Sequence, residues 1–150
     1  MPALPRFWSA LTTADFAQID TARAIAVLPV GATEQHGPHL PLSVDADIAH
    51  AIVQAAAPLV ADEVPAFFLP VQAIGYSPEH AHFAGTLTLR PETALRLWSD
   101  IAESVAASGV RKLVLFNTHG GNASLDRKST RLTQSPSLIS YAVFCLKKKK

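Results

Sequence analysis

Residues 29–47, PVGATEQHGPHLPLSVDAD, gather one Glu, two His and two Asp among three Pro and two Gly. Carboxylate oxygens and imidazole nitrogens crowded into one turn-rich loop are the donor set of Zn, Mn or Fe rather than of Ca or a soft copper site. Glu34 and His36 stand two apart on extended chain, and Asp45 comes at the start of the next helical pattern. A further imidazole, His119, lies in NTHGGN much later in the chain. No Cys is near either stretch, which excludes a structural zinc finger. If one carboxylate bridges, four such ligands begin a two-metal site with the ions roughly 3.5 Å apart. Two plainer readings compete on spacing alone. The first loop can be a solvated surface with an N-cap, and HGGN can be a glycine-rich anion cradle opening a helix.

Distant residues form one site only if the fold brings them together. TTADFAQI offers Thr12 or Thr13 as the cap of a short helix, and RAIAVLPVG is a Val- and Ile-rich run closed by Gly31, read as a buried strand. After the donor-rich loop, Asp45 or Asp47 is expected to cap a helix with an apolar stripe of Ile48, Ile52, Val53 and Ala56, ended near Pro58. VPAFFLPVQ reads as a second strand, and TLTLR as a short additional one. Pro91 opens a helix whose stripe is Ala94, Leu97, Trp98, Ile101 and Val105, with Gly109 as its stop. RKLVLFN is the third main strand and runs directly into THGGN. Strands alternating with amphipathic helices predict an α/β fold, a mainly parallel sheet covered on both faces. All strand-to-helix loops of such a sheet open on one edge. Loops 31–45 and 117–122 are therefore expected to face each other.

Composition narrows the function classes. Of 150 residues, 49% are hydrophobic and 17% charged, enough to bury a core and unlike a disordered chain. No apolar run reaches the ~18 residues that cross a bilayer. The N-terminus lacks the pattern of a signal peptide, which predicts a cytoplasmic location. The single Cys145 excludes an internal disulfide. Net charge is +1, but residues 1–125 carry six basic against eleven acidic side chains, and 126–150 carry seven against one. The acidic body has no basic stripe for nucleic acid, and neither nucleic acid nor a membrane is expected as a partner.

VGATEQHGPHLPLSVDADIA and FNTHGGN, with GYSPEHAHFAGTLTL between them, closely resemble the creatininase (creatinine amidohydrolase) family over about residues 6–125. The resemblance implies a three-layer α/β/α fold and a metal-dependent amidohydrolase that cleaves a C–N bond of a cyclic or linear amide, often as a hexameric homo-oligomer. It implies two divalent metal ions, Zn with Zn, Mn or Fe. Residue by residue, Glu34, His36, Asp45 and His119 match metal-binding positions, and Asp45 matches the bridging carboxylate. His39 matches no ligand and reads as a loop-shaping hydrogen bond. His80, in the SPEHAHF loop, reads either as a plain loop hydrogen bond or as a contact to substrate or to a metal-bound residue, and backbone N–H groups of Gly120 or Gly121 are expected beside the oxyanion. Asn122 is read as a cap of the following helix and a substrate contact. His50 and His82 read as surface residues. The resemblance has one departure inside the motif. Creatininase has a Glu two residues after the second motif's His, and Gly121 stands there in this chain. Members with HGGN take that carboxylate from a Glu much further downstream, beyond this chain.

Residues 126–150, DRKSTRLTQSPSLISYAVFCLKKKK, break the pattern, with abundant Ser and Thr and a terminal run of four Lys. They are expected to be a non-native or disordered basic tail, leaving 1–125 as the N-terminal half of a truncated domain. On that view the proton donor for the leaving nitrogen belongs to the missing half. Three alternatives stay open: a formamide or short-peptide hydrolase of the same family, an inactive truncated fragment with an incomplete metal site, and an anion-binding module using THGGN.

Overall fold

Alternating burial along the strands explains how the layers form. The computed structural model describes residues 4–125 and 140–145. Helix α1 (Thr13–Phe16) is a single turn closed by a capping box, in which Thr12 and Asp15 each bond the other's backbone N–H. Strand β1 (Ile25–Val30) is central, flanked by β2 (Ala66–Phe68) and β3 (Lys112–Asn117), both parallel to it. Helix α2 (Val44–Ala56) connects β1 to β2, and α3 (Pro91–Ala107) connects β2 to β3. Strand β4 (Ser140–Cys145) adds to β3 antiparallel, giving the order β2-β1-β3-β4. Of the expected tail, only these six residues are described; 126–139 and 146–150 lie outside the described residues.

Side chains of successive strand residues point to opposite faces. On one face Ala26, Leu28, Leu113 and Leu115 form the main core with Ala94, Trp98 and Val105 of α3. On the other, Val27, Phe68 and Phe116 meet Val53 of α2 and Ala57 just beyond it. The result is the expected three-layer α/β/α arrangement with a mainly parallel sheet. Among the described residues no helix is long and apolar enough to cross a membrane.

Helix α2 departs from the expected pattern in two ways. Its cap position is Ser43, whose hydroxyl donates to Asp47 Oδ2 at 2.6 Å, so Asp45 lies inside the first turn and is buried. Its buried face is Asp45, Ala46, Ala49 and Val53, whereas Ile48 and Ile52 are 40% and 37% exposed. The reason lies at the end of β1. A Cβ on Gly31 would stand 2.9 Å from the Cα and N of Ala46, so the first turn rests directly on the glycine backbone. Only a face of small side chains fits that approach. TLTLR does not form the expected additional strand; Leu87 makes one isolated bridge to Thr33. The α3 expectations hold, including Pro91 in the first turn and Gly109 at a φ of 98° after the helix.

Candidate metal centre

The ends of β1 and β3 bring the two donor loops together on one edge of the sheet. Thr118 fastens them: its N–H donates to Val30 O at 3.0 Å and its hydroxyl to Asp45 O at 2.8 Å. Glu34 is held by its N–H, which donates to Leu42 O at 2.9 Å across the loop. Asn117 is buried and shapes the turn, donating from Nδ2 to His119 O at 2.8 Å and accepting His119 N–H at 3.1 Å.

These constraints converge on three buried side chains. One donor atom from each of Glu34, Asp45 and His119 lies within 4.8 Å of the others. His119 Nδ1 is 2.9 Å from Asp45 Oδ2 and 3.4 Å from Glu34 Oε1. On its other side His119 Nε2–H donates to Tyr76 O at 2.9 Å, with Ser77 Oγ at 3.1 Å. A carbonyl can only accept, so the proton sits on Nε2 and Nδ1 is the atom facing the carboxylates. His36 repeats the scheme with the nitrogens exchanged. Its Nδ1–H donates to Glu34 O at 3.0 Å, and Nε2 faces Asp45 Oδ1 at 3.4 Å. Asp45 thus stands between the two imidazoles. Tying one ring N–H to a carbonyl so that the other nitrogen aims its lone pair is the orientation metal-bound histidines adopt.

The electrostatics show what the centre wants. Glu34 is 5% exposed, and its Oε2 has no hydrogen-bond partner. A buried carboxylate oxygen left without a partner is costly. His119 has its pKa raised: burial pushes it down, but the hydrogen bonds to Asp45 and Tyr76 O and the charges of Glu34 and Asp45 outweigh that. The donor set therefore draws a proton onto Nδ1, where two carboxylates favour positive charge, and still leaves an oxygen unsatisfied. The residues fit a divalent cation.

His80 reaches the same centre from the loop after β2, with Nε2 3.8 Å from Glu34 Oε1. Gly120 borders open space; no atom lies within 4 Å of where its Cβ would be. Gly121 is walled in. A Cβ there would run into the carbonyl oxygen of Tyr76 and stand 2.5 Å from His119 Nε2 and 3.2 Å from Glu79 Oε1. Asn122 is 1% exposed, so its amide is a tie between loops rather than a surface for substrate. Its Oδ1 accepts Tyr76 N–H at 2.9 Å, and Nδ2 donates to Gly31 O at 3.0 Å and Asn117 Oδ1 at 3.2 Å. His39, His50 and His82 are exposed. Glu79 was not anticipated, yet it groups with Glu34 and His80 within 4.8 Å. Its adjacency to His80 was the available signal, and the bare Gly121 beside it makes the room.

The family model described as "Creatininase: Creatinine amidohydrolase" matches residues 9–145. "Mycofactocin precursor peptide peptidase" of Mycobacterium tuberculosis (strain CDC 1551 / Oshkosh) is 40% identical over 118 residues, covering 75% of this chain and 47% of the relative. "Creatinine amidohydrolase" of Pseudomonas putida is 33% identical over 112 residues, covering 71% and 42% respectively. Among solved structures, a manganese creatininase superposes with a TM-score of 0.71 at 31% identity, covering 81% of this chain and 48% of that one. A mutant creatininase of Zn–Zn type gives the same values. The chain spans about half the length of the curated relatives it matches.

Proposed function

This chain belongs to the creatininase family, and from that premise we propose that it carries the metal centre of a metal-dependent amidohydrolase that cleaves a C–N bond. The carrying observation is the buried group of Glu34, Asp45 and His119, with one Glu34 oxygen left unpartnered. Glu34, His36, Asp45 and His119 would hold divalent cations, zinc with zinc, manganese or iron, as the zinc and manganese forms of related structures suggest. When bound, such cations polarise an amide carbonyl and bring the pKa of a water down toward about 7. The chain's own residues orient the reaction. Asp45 spans the two imidazoles, Tyr76 O and Glu34 O keep the ring N–H groups turned away, and Gly120 leaves the backbone open to the substrate oxygen. We assign this chemistry to residues 1–125 as the N-terminal half of the family domain. The reading carries with it a cytoplasmic homo-oligomer acting on a small-molecule amide, and the exposed Ile48 and Ile52 on α2 are compatible with an interface.

A short peptide is the second reading of the substrate. It is favoured by the higher identity to a peptide peptidase, 40%, than to a creatinine amidohydrolase, 33%. A panel of creatinine, formamide and peptide amides offered to the whole protein separates the classes.

Zinc titration of the chain by calorimetry tests the centre. Saturable binding with release of a proton is expected, because the cation takes the Nδ1 position that protonated His119 fills in the metal-free chain. The raised pKa of His119 gives the direction with pH. Without metal, its proton stabilises the fold fully below the ordinary value of about 6.5, and that contribution is lost as pH rises through the raised value. Zinc affinity runs the opposite way and weakens as pH falls through the same range. Affinity independent of pH, or heats without saturation, would contradict the assignment.

A further inference from the structure

The third imidazole of the centre has its hydrogen bonds reversed. His36 and His119 each donate a ring N–H to a carbonyl and turn the other nitrogen toward a carboxylate. His80 instead meets the side chain of Gln35. The oxygen Oε1 of that amide accepts Gly37 N–H at 3.0 Å, which settles which end of the amide is the nitrogen. Gln35 Nε2 therefore donates to His80 Nδ1 at 2.9 Å. A ring nitrogen that accepts carries no proton, so neutral His80 holds its proton on Nε2. That N–H faces the centre, with Glu34 Oε1 3.8 Å away, too far for a hydrogen bond. The arrangement is braced from outside. Gln35 N–H donates to Thr86 Oγ1 at 3.1 Å, and the Phe83 ring packs edge-on to His80 with centroids 5.9 Å apart. His80 keeps 29% of its side chain exposed, so a substrate can reach it.

We propose that Gln35 is a positioning residue that fixes His80 as the Nε2–H tautomer, making His80 a neutral hydrogen-bond donor to the oxygen of a substrate amide and not a cation ligand. The role toward substrate rests on the amidohydrolase reading above; the tautomer does not. The proposal resolves the competing use of Glu34, Glu79 and His80, whose donor atoms lie close enough to suggest a cation. With Nε2 protonated, His80 has no lone pair to offer there. A fixed neutral donor suits a carbonyl oxygen that gains negative charge during attack, since it needs no reorientation and brings no cation to compete with the metals.

Long-range proton–nitrogen correlation spectra of the labelled 150-residue chain, zinc-free and zinc-loaded, read both ring nitrogens directly. The signals of His80 are identified by their loss in His80→Asn. The expected result is protonated Nε2 and unprotonated Nδ1 in both states, with the two exchanged in Gln35→Glu, whose carboxylate accepts from Nδ1–H. His80→Asn should keep the zinc stoichiometry of the parent. Unprotonated Nε2, averaged tautomers, or loss of one zinc equivalent in His80→Asn would overturn the proposal. If zinc binds with Nε2 as a ligand, the Gln35 role falls while the cation reading stands. If zinc does not bind at all, the cation reading falls, and the zinc-free spectrum still decides the tautomer. Should Gln35→Glu not fold, Gln35→Met provides the second arm, with mixed tautomers expected and an unchanged spectrum contradicting the proposal.

Discussion

Glu34→Gln should make the metal-free chain more stable and leave it nearly unable to hold zinc. The two effects share one cause. Oε2 of Glu34 is buried without a partner, and its carboxylate crowds that of Asp45 around a single imidazole. Gln keeps the shape, removes the charge and supplies an amide N–H that can turn toward Asp45. Relief of an unsatisfied buried acceptor amounts to about 1–3 kcal/mol. Zinc affinity should fall by more than the ~100-fold upper range seen on losing an outer-shell partner, since here a ligand itself is weakened. Urea melts in chelator and zinc titrations of the same preparations measure both. A variant that is less stable without metal and binds zinc like the parent would contradict the assignment of Glu34.

Asn122→Ala is expected to cost about 2–4 kcal/mol, because Tyr76 N–H and Gly31 O lose the Asn122 amide at roughly 1–3 kcal/mol each, while Asn117 Oδ1 loses one donor but keeps His119 N–H. Tyr76 and Gly31 lie on different loops and Asn117 ends β3, so the loss also frees the segment carrying Tyr76 O, which orients His119. Against the usual stability of about 5–15 kcal/mol this is a large fraction, and the urea midpoint should drop accordingly. Asn122→Asp keeps an acceptor for Tyr76 N–H but sets a carboxylate oxygen against Gly31 O, and should also be destabilised. A midpoint for Asn122→Ala within about 0.5 kcal/mol of the parent would show that Asn122 is not the tie between these loops.

Much of this architecture is legible in the residues alone. RAIAVLPVG and RKLVLFN announce buried strands through short apolar runs, and a parallel sheet then obliges their loops to share an edge. That single topological step predicts the meeting of Glu34 and Asp45 with His119. What stayed hidden depends on contacts with no local period. The face α2 buries is chosen by the bare backbone of Gly31, which admits Ala46 and turns Ile48 and Ile52 outward. Asn122 looks like a helix cap because its three partners lie 46, 91 and 5 positions away. Gln35 is an ordinary polar loop residue until Gly37 N–H orients its amide. Hydrophobic periodicity finds layers; it does not report which nitrogen of an imidazole carries a proton.

X-ray absorption at the zinc edge of the loaded 150-residue chain examines the centre itself. The expected spectrum has a first shell of oxygen and nitrogen near ~2.0–2.2 Å with the outer scattering of imidazole, no sulfur near ~2.3 Å, and loss of the imidazole signal in the His119→Ala, His36→Ala double variant. A sulfur-containing shell, or a spectrum that the double variant leaves unchanged, would mean that zinc binds elsewhere and that Glu34, Asp45 and His119 do not form the centre.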